Sequence, residues 1–314
     1  FTSGTEGRPK GIVLSYANLA DAAGRVIRAM GMTGEIREYV GVPVTHSFGM
    51  GRIRAICAVG GSAYLPQGFD PMELARMLAA GEVNSLSAVP TLLRILLEVP
   101  EVFGTAGAKL RWMEIGSQYM SASEKRRVRQ LFPNARIILH YGLTEASRST
   151  FLDVSGATDE QLESVGRPEG DVEIGIDDKG RIRIRGPNVA RWRVDAEGMH
   201  ALCDAEGWLR TNDLGHMHDG YLCFDGRADD LINCGGGPEI VEFAADLQRR
   251  LQGFTGLRLL PVVTPNQADI VQAERDRAAV AVGLAHFQGM AHLVERGLVF
   301  PAHPQEPPDV VAAT

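Results

Sequence analysis

The first eleven residues, FTSGTEGRPKG, combine hydroxyl side chains, glycines and one lysine in a single loop. Such a loop suits a polyphosphate, because glycines let backbone N–H groups approach the anion, hydroxyl groups donate hydrogen bonds and lysine adds positive charge. Similar clusters also form plain turns, and Pro9 and Gly11 break the Gly-x-x-x-x-Gly-Lys-Ser/Thr pattern of the common phosphate loop. The candidate phosphate ligands are Thr2, Ser3, Gly4, Thr5, Gly7 and Lys10.

Four further motifs follow the loop: PVTHSFG at 43–49, HYGLTE at 140–145, WLRTND at 208–213 and GRADDLI at 226–232. In this order the five segments resemble the signatures of the adenylate-forming superfamily, the acyl-CoA synthetases and other AMP-binding ligases. They cover roughly the first three quarters of the chain. The resemblance implies ATP-dependent activation of a carboxylic acid to an acyl adenylate, followed by transfer to CoA or another thiol. The cofactors it implies are ATP, Mg²⁺ and CoA.

The resemblance assigns the opening loop to the β and γ phosphates. It assigns Thr144 and Glu145 to the α phosphate and to catalysis, with Glu145 as the Mg²⁺ ligand. This hard ion prefers carboxylate, hydroxyl, water and phosphate oxygens. Glu6 stands where many family members carry threonine, which puts a carboxylate beside the phosphates.

The adenosine end of the nucleotide is assigned to the second half of the motif set. By resemblance, Tyr141 stacks on the adenine, Gly142 leaves space for it and Arg227 reaches the ribose or phosphate side. Asp213 accepts hydrogen bonds from the two ribose hydroxyls. Its usual neighbour in the family is glycine, and Asn212 takes that position here, where asparagine's tolerance of a left-handed backbone is expected to preserve the site.

The acid is expected next to the α phosphate. The resemblance places His46 at this junction as a catalytic residue, and it lines the acyl pocket with Gly116, Ser117 and Gln118. The Pro-x-x-His-x-x-Gly form is closer to acyl-CoA synthetases than to amino-acid-activating domains, and no clear acidic residue stands beside it to grip an α-amino group. We therefore expect a fatty, aryl or other amine-free acid.

Three departures from the family pattern keep other functions open. The family pattern leads us to expect a portion before the phosphate loop that this sequence does not include. The segment after Asp230 is shortened, and the last lysine here is Lys179, so no residue of this sequence inherits the family's C-terminal adenylation lysine. We interpret the chain as a fragment or divergent member. Two alternatives remain: a nucleotide- or adenylate-binding protein without ligase activity, and an adenylating enzyme that serves an acyl carrier protein.

The elements that position these motifs follow from the hydrophobic pattern. Strands and helices alternate from residue 11 to 141, which indicates an α/β fold with a helix-covered, mostly parallel sheet. After about residue 156, short strands and turns indicate an antiparallel or small β-barrel-like unit. We predict a large AMP-binding domain over 1–225, a hinge at Asp229 and a small, atypical α+β C-terminal domain over 226–314, with a loose tail from about 300.

Individual segments can be predicted as well. We expect a strand at 11–14, a helix at 17–30 capped by Ser15 and a buried strand at 40–44. A helix at 121–131 is opened by a Ser-x-x-Glu capping box. In the second half the expected strands are 172–176, 181–185, 207–210 and 220–224.

Charge, cysteine content and hydropathy limit the classes of partner that the sequence predicts. The formal charge is −7 and no basic block stands out, which argues against a general nucleic-acid binder. The four cysteines lack paired metal-ligand spacing, which favours a reduced, cytoplasmic location. No apolar run reaches membrane-spanning length. The expected partners are thus a small carboxylic acid and a thiol of CoA or a carrier protein.

Overall fold

The computed structural model describes residues 2–3 and 9–228, with side chains from residue 10 onward. All of these residues belong to the first of two compact units, Phe1–Asp230. The predicted C-terminal domain, the hinge residue Asp229 and the loop residues Gly4, Thr5 and Gly7 lie outside the described residues. The domain boundary predicted at 226 stays a prediction.

The opening loop leads into a small antiparallel sheet. Its strands, in spatial order, are β1 (Thr2–Ser3), β2 (Pro9–Val13), β11 (Trp192–Asp195) and β12 (Gly198–Ala201). Thr2 pairs with Lys10 and Ser3 with Pro9, so the two ends of the predicted phosphate loop are adjacent. The strand predicted at 11–14 is confirmed, although it begins two residues earlier and ends one residue earlier than predicted.

The central feature is a six-stranded sheet in which every neighbouring pair is parallel except the last. This arrangement confirms the predicted helix-covered α/β sheet. Parallel strands place all their carboxyl ends at one edge, where ligands bind in folds of this class. The strands, in spatial order, are β4 (Ser62–Tyr64), β3 (Arg37–Val40), β5 (Ser85–Ala88), β6 (Trp112–Ile115), β7 (Arg136–Tyr141) and β8 (Thr150–Asp153).

Helices cover both faces of this sheet. Residues of the first two helices pack with Val40, Trp112 and Ile138, while residues of the other three pack with Leu86, Met113 and their neighbours on the opposite face. The helices are α1 (Tyr16–Met30), α2 (Ser47–Ala58), α3 (Pro71–Ala80), α4 (Pro90–Glu98) and α5 (Ala122–Leu131). Among residues 9–228, no helix is both long and apolar enough to cross a membrane.

Local sequence accounts for the helix ends. Ser15 and Asn18 form a reciprocal capping box at α1, and Ser121 and Glu124 form another at α5. Each box satisfies two N–H groups that have no partner within the helix. Gly31 ends α1 in the left-handed conformation, with φ 62°, which glycine adopts without steric cost. Both predicted caps are confirmed.

A second antiparallel sheet follows the main one. Its strands, in spatial order, are β14 (Tyr221–Arg227), β13 (Leu209–His218), β10 (Arg181–Arg185) and β9 (Glu173–Ile176). The antiparallel texture predicted for this part of the chain is confirmed. Strand β13 extends eight residues beyond the predicted end at 210, because it pairs with both β10 and β14 along its length.

The strand predicted at 40–44 is wrong. Strand β3 covers Arg37–Val40, and the chain then turns, with the His46 amide donating to the Pro43 carbonyl at 3.1 Å. Pro43 has no N–H to donate to a strand ladder, which explains why pairing stops before it. Strands β8, β11 and β12 were not predicted, since short strands of mixed polarity carry little periodic signal.

A buried lysine joins helix α5 to the segment that connects the main sheet with the second antiparallel sheet. The Lys125 ammonium donates to the Leu162 carbonyl at 2.6 Å and to the Ser164 carbonyl at 2.7 Å. In the same segment, the Val165 amide donates to the Leu222 carbonyl of β14 at 2.8 Å. Burial lowers the pKa of Lys125 to about 8 from its usual 10.5. Helix α5 is thereby fastened to the connection between the two sheets.

This pKa predicts a stability change at alkaline pH. Between pH 8 and 10.5 the unfolded chain holds the Lys125 proton more tightly than the folded chain, so stability rises with pH by up to about 1.4 kcal/mol per unit. We expect Lys125→Met to remove this rise. Free energies of unfolding from pH 7 to 10.5 measure it, with Cys223→Ser in both proteins because that nearby thiol also titrates. Parallel pH curves for the two proteins would contradict the prediction.

Candidate functional site

Several of the predicted site residues lie at the carboxyl edge of the main sheet. Gly116 follows β6 directly, with Ser117 and Gln118 exposed beyond it. Tyr141 is the last residue of β7 and Gly142 follows it. The strands position these residues because β6 and β7 are parallel neighbours that end side by side.

Three predicted nucleotide ligands are in contact with one another. The Tyr141 hydroxyl donates to Asp213 Oδ2 at 2.7 Å, and Arg227 Nη1 donates to Asp213 Oδ1 at 3.4 Å. Asp213 and Arg227 are direct cross-strand partners on β13 and β14, so sheet register sets their separation. Burial, together with the negative charge of Asp213, raises the pKa of Tyr141, which therefore keeps its proton as the donor.

The position beside Asp213 departs from the sequence expectation. Asn212 lies in extended β13, and the described residues with left-handed backbone do not include it. Its carbonyl accepts from the Ala228 amide at 2.7 Å, and its side-chain oxygen accepts from Arg181 Nη1 at 3.3 Å. The expected left-handed conformation was therefore wrong.

Thr144 and Glu145 occupy the tip of a tight turn after β7. Leu143 and Ala146 exchange amide-to-carbonyl hydrogen bonds of 3.0 and 3.1 Å across the turn. Gly142 is required beneath it, since a Cβ there would lie 2.8 Å from the Ala146 carbonyl oxygen and closer still to the Arg148 amide. The sequence thus folds locally so that a residue with a hydroxyl group and one with a carboxylate lie side by side at the tip of the turn.

The donor set of this turn fits a hard cation. The Thr144 hydroxyl lies 3.5 Å from the Ser47 hydroxyl on the first turn of α2. Glu145 is partly exposed, and within the described part of the chain its carboxylate has no hydrogen bond or ion pair, although its backbone carbonyl accepts from the Ala190 amide at 2.7 Å. Hydroxyl and carboxylate oxygens are the ligands that Mg²⁺ prefers.

Two other predicted residues stand apart from these contacts. His46 is exposed and precedes α2 without a side-chain hydrogen bond to the helix. Lys10 is partly exposed on β2, and across residues 9–228 its ammonium has no hydrogen bond or ion pair. The side chains of Thr2 and Ser3 lie outside the described residues.

A buried ion network underlies the site, and sequence reasoning missed it. Arg52 of α2 binds both oxygens of Glu38, with Nε donating to Oε1 at 2.8 Å, and its Nη1 donates to Glu114 Oε2 at 2.7 Å. The three side chains are fully buried. Ser85 of β5 also donates to Glu38 Oε2, at 3.0 Å. Helix α2 is thereby attached to strands β3 and β6 by charged groups, and the Ser85 hydroxyl links Glu38 to β5.

Glu114 also binds the turn after β7. Arg148 Nε donates to Glu114 Oε1 at 2.8 Å and Nη2 donates to Oε2 at 3.1 Å. Burial alone would raise the pKa of Glu114, but Arg148 and Arg52 hold it well below the usual range. His140 Nδ1 lies 2.7 Å from Glu114 Oε1, and burial lowers the pKa of this imidazole, which favours its neutral form.

The network also explains one predicted pocket residue. A Cβ at Gly116 would overlap the His140 ring, so glycine is required at the end of β6. The ring in turn meets Phe48 edge-on, with centroids 4.9 Å apart. Ser117, next in the chain, has φ 75°, an unusual conformation for a residue other than glycine. Its neighbour Gln118 accepts from the Thr91 hydroxyl at 2.6 Å.

A signal for the network is present in the sequence. Glu38 and Glu114 interrupt strands that are otherwise apolar at their buried positions, REYV and WMEI. An acidic residue in a buried strand needs a cationic partner. What sequence does not reveal is that Arg52 and Arg148 are those partners, since 62 and 34 positions separate them from Glu114.

Known proteins resemble this chain over the same region. The 3-[(3aS,4S,7aS)-7a-methyl-1,5-dioxo-octahydro-1H-inden-4-yl]propanoyl:CoA ligase of Mycobacterium tuberculosis is 30% identical over 240 residues, which is 75% of this chain and 47% of the relative. The 2-succinylbenzoate–CoA ligase of Bacillus subtilis is 29% identical over 255 residues, 75% of this chain and 50% of that enzyme. The chain spans about half the length of the curated relatives it matches.

Solved structures show the same relationship. The O-succinylbenzoate CoA synthetase of Bacillus subtilis, in complex with ATP and magnesium ion, has a TM-score of 0.65 and 28% identity, covering 75% of this chain and 51% of that one. A malonyl-CoA ligase with methylmalonyl-CoA and AMP bound has a TM-score of 0.63 and 29% identity, covering 72% and 51%. The AMP-binding enzyme family matches residues 1–192. Motifs, fold and sequence similarity agree, and the chain belongs to the AMP-binding enzyme family.

Proposed function

We propose that the protein activates a carboxylic acid with ATP and transfers the acyl group to a thiol. The acid's carboxylate oxygen attacks the α phosphorus of ATP, pyrophosphate leaves, and an acyl adenylate forms. A thiolate then attacks the acyl carbonyl carbon and AMP leaves. The observation that carries the proposal is the contact of Tyr141, Asp213 and Arg227 at the sheet edge where the Thr144–Glu145 turn stands.

The nucleotide would lie across this edge. Tyr141 and Gly142 would receive the adenine, and Asp213, oriented by Tyr141 and Arg227, would bind the ribose hydroxyls. Phosphates would reach the opening loop, whose ends are joined by the Thr2–Lys10 ladder. Thr2, Ser3, Gly4, Thr5, Gly7 and Lys10 are the proposed phosphate ligands, and Asp229 is the proposed hinge.

Glu145 would hold Mg²⁺, with Thr144 beside the α phosphate. When bound, the ion neutralises phosphate charge and so favours attack by an anion. His46, exposed at the start of α2, would meet the acid's carboxylate at the α phosphate. Gly116, Ser117 and Gln118 would border the acyl group, for which an amine-free acid remains the proposed class.

The acceptor is proposed as CoA because the similar proteins are named CoA ligases. A carrier-protein thiol is the other acceptor considered. A cytoplasmic location stays a prediction from cysteine usage. Nucleotide binding without ligase activity is the alternative that the following assay separates.

The proposed function predicts acid-dependent ATP–pyrophosphate exchange. Purified protein is assayed with Mg²⁺ and a panel of fatty, aryl, dicarboxylic and amino acids, and we expect exchange with at least one amine-free acid. Product analysis with CoA and with a phosphopantetheinylated carrier protein then identifies the acceptor. Tight ATP binding without exchange for any acid would instead support the binding-only alternative.

Loss of the Asp213 charge should weaken nucleotide binding. Hydrogen bonds to charged groups contribute about 1.5–3 kcal/mol each, so Asp213→Asn is expected to raise the ATP dissociation constant roughly tenfold or more. Calorimetry measures the change. Asp225→Asn is the matched control, because Asp225 is exposed on neighbouring β14 and pairs only with His216 among the contacts described. Equal affinities for the two variants would remove Asp213 from the site.

The Glu145 carboxylate should matter only when the metal is present. We expect Glu145→Gln to leave ATP affinity in EDTA unchanged and to abolish most of the affinity gained on adding Mg²⁺, because a neutral amide binds this hard ion weakly. Titrations with and without Mg²⁺ measure the gain. Glu101→Gln, exposed between α4 and β6, serves as control. An undiminished Mg²⁺ gain in Glu145→Gln would exclude Glu145 as the ligand.

A further inference from the structure

One carboxylate holds together two segments to which ligand-binding roles are proposed. Glu114 sits at the third position of β6 and receives Arg52 from α2 and Arg148 from the turn after β7. Helix α2 begins directly after His46, and the turn carries Thr144 and Glu145. The spacing between helix and turn is therefore set from below by the Glu114 carboxylate.

Arg148 is held in a conformation that needs support. Its φ is 57°, in the left-handed region that residues other than glycine adopt rarely and at a cost. Two hydrogen bonds to Glu114 fix the guanidinium, which also lies 5.7 Å from the centre of the Phe48 ring. Gly51 makes room for it, since a Cβ there would lie 2.5 Å from Nη1.

The position of Arg148 also determines the position of the outer end of the turn. Arg148 is three residues beyond Glu145. The Ala146 amide donates to the Leu143 carbonyl at 3.1 Å, and the Ser149 hydroxyl donates to the Ala146 carbonyl at 2.9 Å, so hydrogen bonds close the chain on both sides of Ala146. A turn this short transmits the position of Arg148 to Glu145. The 3.5 Å contact between the Ser47 and Thr144 hydroxyls marks the point where helix and turn meet at the site.

We propose that Glu114 and Arg148 are positioning residues, which fix the Thr144–Glu145 turn against the first turn of α2 and so determine how Glu145 meets the metal-bound polyphosphate. The inference rests on the proposed function for the ligand. Neither residue contacts the nucleotide in this scheme. They act through the backbone of the turn, so their loss should affect the metal-dependent part of binding and the chemical step.

The charges of the network allow a double variant that leaves no buried charge unpaired. The network contains two carboxylates, Glu38 and Glu114, and two guanidinium groups, Arg52 and Arg148. Removing one member leaves a buried unpaired charge, which is strongly destabilising. The double variant Glu114→Gln with Arg148→Met removes one charge of each sign and leaves the Glu38–Arg52 pair complete. Its effects on binding are then separable from loss of the fold.

Two further proteins complete the set. Arg148→Lys keeps the buried charge but lacks the planar fork that binds both carboxylate oxygens. Arg76→Met with Glu82→Gln removes a pair of the same type whose side chains are 59% and 45% exposed, and it is the matched control. Each protein is examined by thermal unfolding, by ATP titration in EDTA and in Mg²⁺, and by exchange kinetics with the acid that supports turnover.

We expect all variants to fold and to bind ATP in EDTA within about twofold of the wild type. A twofold change in the dissociation constant corresponds to less than about 0.5 kcal/mol. The Mg²⁺-dependent gain in ATP affinity should fall at least fivefold in the double variant and by an intermediate factor in Arg148→Lys. The kcat of exchange should fall at least tenfold, with KM for the acid little changed. The control pair should behave as the wild type.

A wild-type Mg²⁺ gain in the folded double variant would overturn the proposal. If that variant does not fold, wild-type behaviour of Arg148→Lys overturns it equally. A wild-type protein that shows the Mg²⁺ gain but no exchange contradicts the ligase function alone, and the binding data still decide the positioning role. A wild-type protein without any Mg²⁺ gain would refute both Glu145 as metal ligand and the positioning role.

Discussion

The rest of this structure depends on the ion pairs that the buried, shared Glu114 carboxylate forms. Four ionised side chains lie under α2 with almost no solvent contact, although removing each from water costs several kcal/mol. That cost is offset only where every charge finds an opposite charge at hydrogen-bond distance. The network is therefore intolerant of displacement, and it restricts α2, β6 and the turn after β7 to one relative arrangement.

Strand periodicity explains how these groups meet. Side chains alternate between the two faces of a strand, so Glu38, Glu114 and His140 all point toward the face that α1 and α2 cover. Parallel pairing then sets β3, β5, β6 and β7 side by side. Arg52 enters from the helix above them, and no local feature of α2 requires an arginine at that position.

The turn after β7 is also where the main sheet meets the antiparallel strands. Tyr141 reaches Asp213 of β13, and Asn188 donates to the Ser147 carbonyl at 3.2 Å and to the Ser149 hydroxyl at 3.0 Å. Asn18, which completes the cap of α1, donates to the Pro187 carbonyl at 2.7 Å. The edge proposed to bind the nucleotide is thus a junction whose position depends on the main sheet and on the antiparallel strands. Binding sites favour such junctions because they collect side chains from distant parts of a chain.

The sequence by itself determined the local elements and the family. Three features depend on residues only a few positions apart and can therefore be predicted from the sequence alone. They are the Ser15 and Ser121 caps, the alternation of strand and helix, and the Tyr-Gly-x-Thr-Glu motif. The tertiary structure alone decided that Asp213 pairs with Tyr141 and Arg227, that Asn212 is extended, and that Arg52 and Arg148 share Glu114. These outcomes depend on sheet register and on the close packing of distant segments. A buried acidic residue predicts that a cationic partner exists, but only the folded structure identifies which arginine is that partner.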